Sequence, residues 1–366
     1  MKVITHGADR FRNLKSTYFE ADPSMNVLYG ENGQGKTNII ESIWLFTGCY
    51  SFRTHKNSQL ICDGEKNAEA ALKFNAGSRD QTAEMKIEKN KEIILNGIPC
   101  ETPRVMMGKF CSVVFSPATL GVVEDGPGER RKLLDVALSL MKPNYAVLMS
   151  RYLRTLNQRN NLLKKINERA IPADTLLTWD EALARLGASV ISYRLDYIKE
   201  LKKLSAEIYS GISSSRESFS IKYSFAKDGE EGTDLNEIET RLADSLVKSR
   251  ETDLKRLYTG SGPHADDLIL TLDDREARAY GSRGQQRSCA LALKLSEASI
   301  MGNLTGEAPV VLLDDVMSEL DEGRQNFILN YLDSWQVFIT CCDPSTLLRS
   351  EVGKIFEVKN GTVSEK

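Results

Sequence analysis

The stretch Gly30-Glu31-Asn32-Gly33-Gln34-Gly35-Lys36-Thr37 has the residue types and spacing of a phosphate loop, G-x-x-x-x-G-K-[ST]. Glycines at 33 and 35 let the backbone turn its N–H groups inward onto phosphate oxygens. Lys36 reaches the β- and γ-phosphates and the Thr37 hydroxyl ligates Mg²⁺. Far downstream, Val310-Val311-Leu312-Leu313-Asp314-Asp315 has the form of a Walker B strand, an apolar run ended by acids. Asp314 would hold Mg²⁺ through its water shell, and Asp315 would orient or deprotonate an attacking water. A third group is Gly281-Ser282-Arg283-Gly284-Gln285-Gln286-Arg287, just ahead of a helix expected over 288–300. A small, donor-rich turn at a helix N-terminus is a second anion site. Beside a phosphate loop it suggests one composite site built from two subunits; the plainer alternative is a helix cap by Ser282.

These residues need particular elements to position them. Asn26-Val27-Leu28-Tyr29 reads as a buried strand feeding the phosphate loop, and 38–46 as a helix leaving it, with Ile39, Ile40, Ile43, Leu45 and Phe46 available for burial. Further strands are expected at 3–5, 70–74, 84–87, 93–95, 111–115, 219–225, 267–272 and 337–340, with Asn96-Gly97 as a turn. Phe11-Arg12-Asn13-Leu14 lies just upstream of the loop, where Arg12 either reaches a nucleotide or is a surface residue. After Gly126-Pro127-Gly128 the pattern becomes helical. Met149, Tyr152, Leu153, Leu156, Leu163 and Ile166 form one stripe, and Leu183, Leu186, Val190, Tyr197, Leu201, Leu204 and Ile208 a second. A break at Ile171-Pro172-Ala173-Asp174 makes these an antiparallel helical hairpin. Asp228-Gly229-Glu230-Glu231-Gly232 reads as an exposed acidic loop and 235–257 as a helix. The expected organisation is an α/β nucleotide-binding domain formed by 1–125 and 263–366, interrupted by an inserted helical lobe at 126–262.

Composition narrows the classes. The 366 residues are 41% hydrophobic and 27% charged, enough for a packed core, and the net charge is −3. No apolar run approaches the ~20 residues that span a bilayer. The first residues, Met1 to Gly7, carry no apolar stretch of signal-peptide length. Seven scattered cysteines with no C-x-x-C pair argue against structural zinc and a disulfide framework, and a reducing cytoplasm is the simplest compartment. Charge is nevertheless uneven: residues 104–170 hold twelve Lys and Arg against five Asp and Glu, a local net of +7. A basic segment in an acidic chain is an electrostatic footprint for nucleic-acid phosphate. Its candidates are Arg130, Arg131, Arg151, Arg154, Arg159, Lys164 and Lys165; the alternative is a solvated helix face. No base-reading module is evident, so backbone and junction-shape recognition is expected.

Taken together, these motifs resemble the RecF family of SMC-like, ABC-type ATPases. The resemblance covers nearly the whole chain. It rests on Gly30–Thr37 with Asn38, Ser51-Phe52-Arg53-Thr54, Phe115-Ser116-Pro117, Glu129-Arg130-Arg131 through Asp135, Gly262-Pro263-His264, Ser282–Arg287 and Leu312–Asp321. Ser282, Gly284 and Gln285 match the Leu-Ser-Gly-Gly-Gln turn of related ATPases, and Ser318-Glu319-Leu320-Asp321 falls at the spacing of their D-loop. Thr340 ends a strand where the switch residue falls. The resemblance implies an ATPase head with a short coiled-coil-like arm, using ATP and Mg²⁺. It implies ATP-dependent homodimerisation on single- or double-stranded DNA at gaps and junctions, slow hydrolysis, and work with RecO and RecR to load RecA. A P-loop small-molecule kinase or transferase, another SMC-like structural ATPase, or a transporter's ATPase subunit are the competing readings. None of the features points to a membrane partner.

Overall fold

The computed structural model of the chain describes residues 1–168, 171–214, 216–225, 234–344 and 353–366. Two compact units divide the chain: Met1–Gly121, Ile208–Arg216 and Arg287–Lys366 form the first, Val122–Glu207 and Glu217–Gln286 the second.

The first unit holds two six-stranded sheets. One contains β3 (Met25–Tyr29), β8 (Ser112–Phe115), β12 (Val310–Leu313), β13 (Val337–Cys341), β14 (Lys354–Lys359) and β15 (Thr362–Glu365), in the order β15-β14-β3-β13-β12-β8. All neighbours are parallel except β14 and β15. Every residue of β8, β12 and β13 is buried, as strands covered on both faces require. Helix α1 (Lys36–Leu45) buries Ile39, Ile40, Ile43, Trp44 and Leu45. From α8 (Arg283–Thr305), the run Cys289 to Leu293 is fully buried. The order of this sheet matters for chemistry. Because β13 lies between β3 and β12, the C-terminal ends of three parallel strands converge where a ligand of an open α/β sheet binds.

The second sheet of this unit is antiparallel, in the order β2-β1-β4-β5-β6-β7, from β1 (Lys2–Asp9), β2 (Thr17–Glu20), β4 (Ala68–Ala76), β5 (Arg79–Ile87), β6 (Lys91–Leu95) and β7 (Ile98–Cys100). Asn96 (φ 51°) and Gly97 (φ 78°) form the tight turn between β6 and β7. Two successive left-handed residues are what an Asn-Gly hairpin turn supplies. Two more helices, α2 (Pro117–Leu120) and α9 (Glu322–Tyr331), follow β8 and the Walker B strand.

The second unit is mainly helical, with α3 (Pro127–Met141), α4 (Pro143–Asn167), most of α5 (Leu176–Ser213) and α6 (Leu235–Arg256). Arg159 meets Asp180 at 2.7 Å, while Tyr145 meets Tyr193 with ring centroids 5.6 Å apart. Late residues of α4 thus face early residues of α5, so the two helices run antiparallel as their stripes predict. One residue departs from its stripe: Leu153 is 41% exposed. The expected acidic loop at 228–232 lies outside the described residues.

The return from insert to head differs from the expected residue 263. Strand β10 (Asp267–Leu272) pairs antiparallel with β9 (Phe219–Ser224) and with β11 (Arg275–Glu276), in a three-stranded sheet of the second unit. Its side chains alternate between buried and half-buried, unlike the fully buried β12, so it is a one-faced antiparallel strand. Helix α7 (Ala277–Tyr280) and the turn at 281–286 also belong to this unit, and the chain re-enters the first unit at Arg287.

Candidate active site

The phosphate loop leaves β3 through backbone that only glycine accommodates easily. Gly30 has φ 154°, and a Cβ there would lie 2.3 Å from the Val358 carbonyl oxygen. Gly35 has φ 115°, and its Cβ would meet Leu14 Cδ2 at 2.8 Å and Asn13 Oδ1 at 2.9 Å. The loop is fastened from two sides. Asn13 Nδ2 donates to the Gly33 carbonyl at 2.7 Å, and Asn38 Nδ2 donates to Asn13 Oδ1 at 2.7 Å. The backbone N–H of Asn360 donates to Gln34 Oε1 at 2.6 Å, and that of Gly361 to the Gln34 carbonyl at 3.1 Å. Lys36 Nζ donates to the carbonyls of Gly30 at 2.6 Å and Glu31 at 3.0 Å, so its ammonium lies over the start of the loop. Asn32 Oδ1 accepts from the Cys342 thiol at 3.3 Å, adding a tie from the segment after β13.

Both halves of the nucleotide motif meet. Thr37 Oγ1 donates to Asp314 Oδ1 at 2.9 Å, across 277 residues of sequence. Thr340 Oγ1 donates to the same oxygen at 3.0 Å and accepts from the Asp315 N–H at 2.8 Å. Thr340, at the end of the strand between them, therefore orients both acids. Asp315 itself is left-handed, φ 54°, a conformation Asp tolerates better than most residues. Burial pushes the Asp314 carboxyl above its ordinary range, and hydrogen bonds from Thr37 and Thr340 offset only part of this. A desolvated carboxylate next to a threonine hydroxyl is a set of hard oxygen donors that a cation would relieve. No group of three or more His, Cys, Asp or Glu able to hold a metal occurs among the described residues. Thr37 and Asp314 are residues that could hold Mg²⁺, which takes one or two carboxylates and completes its shell with water and substrate phosphate.

Arg12 is neither free nor simply superficial. It is 18% exposed and makes a bidentate pair with the buried Glu41, Nε–Oε2 2.5 Å and Nη2–Oε1 2.8 Å. Sequence reasoning missed Glu41 and the two asparagines, Asn13 and Asn38, as parts of this site. Asn13, four residues after the first strand, had no local signal; Asn38 follows the loop directly, which was its only signal.

The turn at 282–286, in the second unit, closes on itself. Gln285 N–H donates to Ser282 Oγ at 3.3 Å, and Ser282 N–H donates to Gln285 Oε1 at 2.6 Å, a reciprocal cap of α8. Gln285 Nε2 donates to Glu217 Oε1 at 2.6 Å, and Gln286 Nε2 donates to the carbonyls of Ala277 and Arg278, both at 3.1 Å. Gly284 follows Ser282 and Arg283, both exposed. In the first unit, Ser318 Oγ donates to the Asp315 carbonyl at 3.0 Å, and Asp321 caps α9 by accepting from Arg324 N–H at 3.1 Å.

Two members of the basic segment are structural. Arg159, 0% exposed, donates to Asp180 at 2.7 Å, Asp253 at 2.8 Å and Thr259 Oγ1 at 2.8 Å. It joins α4, α5, α6 and the following loop as a buried charge held by two carboxylates. Arg130 is 4% exposed and makes a two-toothed pair with Asp267, at 2.8 and 2.9 Å. Neither can meet DNA without breaking these pairs, so both are removed from the candidates. Arg131 is half-buried and donates to the Asp266 carbonyl at 2.7 Å. Arg151, Arg154, Lys164 and Lys165 remain exposed on α4. All 25 residues of that helix lack an Asp or Glu. Positions 151, 154, 158, 161 and 165 recur at steps of three and four, so Arg, Arg, Gln, Asn and Lys share one face.

Comparison with known proteins agrees with these motifs. A family model described as "RecF/RecN/SMC N terminal domain" matches residues 7–364. The DNA replication and repair protein RecF of Agathobacter rectalis is 38% identical over 357 residues, covering 96% of each chain. That of Caldanaerobacter subterraneus is 40% identical over 335 residues, covering 91% of this chain and 92% of the relative. A solved structure of the recombination mediator protein RecF-ATP of the RecFOR pathway superimposes with a TM-score of 0.93 at 37% identity, over 100% of this chain and 97% of that one. The Smc head domain from Pyrococcus furiosus, at 16% identity, shares the fold with a TM-score of 0.56. Matched by that family model over nearly its whole length and by these RecF relatives at 37–40% identity, the chain belongs to the RecF family of DNA replication and repair proteins, built on the SMC-type ATPase head.

Proposed function

We propose that this chain is an ATP-driven switch of recombinational repair that dimerises over ATP on DNA and hydrolyses it slowly, with DNA stimulating the reaction. The observation that carries the reading is the 2.9 Å contact of Thr37 with Asp314, which unites phosphate loop and Walker B strand. Mg²⁺, held between Thr37, Asp314 and substrate phosphates, would screen the charge of the β- and γ-phosphates. Lys36 and the N–H groups of 33–37 bind the phosphates, and Asp315 orients the attacking water and takes its proton. Ser282, Gly284 and Gln285 serve the nucleotide of the partner copy. The RecFOR pathway named for a solved relative supports work with RecR and RecO; loading of RecA at gaps, in the cytoplasm, is part of the same proposal. Among the described residues, no helix is long and apolar enough to cross a membrane. Residues 1–121, 208–216 and 287–366 are read as the head, and 122–207 with 217–286 as the arm.

The DNA surface is the exposed face of α4, with Arg151, Arg154, Lys164 and Lys165 on phosphates and Gln158 and Asn161 as further donors. From 151 to 165 this face runs about 21 Å along the helix at ~1.5 Å per residue. Four neutralised phosphates correspond to a log–log salt slope of about −3.6, roughly a 10²-fold loss of affinity between 50 and 200 mM salt. Reversing charge at Arg151 and Arg154 should flatten that slope by about two units. ATPase assays with and without gapped DNA, alongside the salt titration, test the reading together. An ATPase indifferent to gapped DNA, or a slope unchanged by the charge reversal, counts against it.

A further inference from the structure

Glu41 is a carboxylate with no exposure, in the turn of α1 that follows Thr37. A buried carboxylate has to be paired, and one arginine would suffice to neutralise it. Here two guanidinium groups converge, from segments on either side of the phosphate loop in sequence. Arg12 holds both oxygens, at 2.5 and 2.8 Å. Arg53 Nη1 lies 3.4 Å from Oε2 and donates to Asn38 Oδ1 at 2.8 Å. Ser51 Oγ donates to the carboxylate as well, and in turn accepts from the backbone N–H groups of Arg53 at 2.9 Å and Thr54 at 3.0 Å. The carboxylate therefore fixes the backbone of 51–54 as well as two side chains.

The network continues to the loop itself. Asn38 bonds Asn13 at 2.7 Å, and Asn13 bonds the Gly33 carbonyl at 2.7 Å. Two guanidinium groups on one carboxylate leave a surplus positive charge. Both arginines keep some exposure, 18% for Arg12 and 41% for Arg53. A surplus cation fixed at the rim of a phosphate loop suits a polyphosphate.

We propose that Glu41 is a positioning residue for the nucleoside triphosphate, holding Arg12 and Arg53 where they meet its phosphates. The proposal rests on the assignment of the nucleotide site above. Glu41 does not touch substrate; it acts through the two arginines, which are pre-organised by its bidentate and hydrogen-bonded geometry. Its own negative charge opposes phosphate, and this gives the test a decisive sign. Were Glu41 important only for its charge, neutralising it would tighten ATP binding. As a positioning residue, its neutralisation loosens it.

The measurement is equilibrium binding of ATP and ADP to full-length Glu41→Gln, with a thermal melt to follow folding. ATP affinity should fall about tenfold or more, as expected for loss of charge-assisted hydrogen bonds. Arg53→Gln should weaken ATP in the same way, and the double variant Glu41→Gln/Arg53→Gln should lose less than the sum of the two. Lys36→Met is the control for the site, and should abolish productive ATP binding without unfolding the chain. Normal ATP affinity in Lys36→Met would overturn the site assignment itself. Loss of ATP in Lys36→Met with unchanged or tighter ATP in Glu41→Gln would overturn the Glu41 proposal alone. Where Glu41→Gln does not fold, Ser51→Ala and Arg53→Gln decide: the first frees the 51–54 segment but keeps the carboxylate. Weakened ATP binding in both supports the proposal, and unchanged affinity in either rejects it.

Discussion

Asp315→Asn should bind ATP normally and hydrolyse it about 10²–10⁴-fold more slowly, the usual cost of losing a general base. Asp315 follows β12 in a left-handed conformation, φ 54°, and asparagine tolerates that region as readily as aspartate. The hydrogen bond that fixes its position comes from its own backbone N–H to Thr340 Oγ1, 2.8 Å, and survives the substitution. Asp314, with its bonds from Thr37 and Thr340, is untouched. The change therefore removes one ability, acceptance of the water's proton, and leaves the shape and the Thr37–Asp314 pair in place. Single-turnover hydrolysis beside equilibrium ATP binding separates the two effects. The variant should accumulate in its ATP-bound, dimeric form. Turnover within a few-fold of the unaltered chain would assign water activation to another residue.

Much of this site is local in sequence and could be read there. The phosphate loop specifies itself because only glycine meets the torsions at Gly30 and Gly35, and β12 announces itself as four apolar residues before two acids. The antiparallel hairpin of α4 and α5 follows from two stripes at helical spacing. What failed depended on distant partners. Arg130 and Arg159 count as positive charge in any composition window, yet Asp267, Asp180 and Asp253 consume that charge from far along the chain. β10 looked like a return to the head because a short alternating strand carries no label for its sheet, and its pairing with β9 spans the whole of α6. Glu41 was invisible for the opposite reason. A single acid on an amphipathic helix reads as solvent-facing, and only the fold brings Arg12, Ser51 and Arg53 against it.

Ser282→Arg should remove ATP-dependent dimerisation and hydrolysis together while leaving ATP binding by the monomer nearly intact. The turn belongs to a different compact unit from Lys36 and Asp314. Its Ser282 and Gln285 cap α8 reciprocally, which pre-forms a donor-rich helix N-terminus with Ser282 and Arg283 exposed beside it. A cap lost to substitution costs about 1 kcal/mol, too little to unfold the chain. A bulky cation in place of the hydroxyl would instead obstruct the approach of a partner's triphosphate. Because ADP lacks the γ-phosphate, hydrolysis would release the partner, and under the proposed function the cycle would time DNA binding rather than drive movement.

The central claim is that one nucleotide is gripped by two copies of the chain. It is tested most directly by mixing Ser282→Arg protein with Lys36→Met protein, each inactive alone, and measuring ATP hydrolysis. A mixed dimer has one site with the intact loop of the first and the intact turn of the second, so activity should reappear on mixing. No recovery on mixing, with sedimentation showing a single monomeric species with or without ATP, would contradict the account and leave the turn a helix cap.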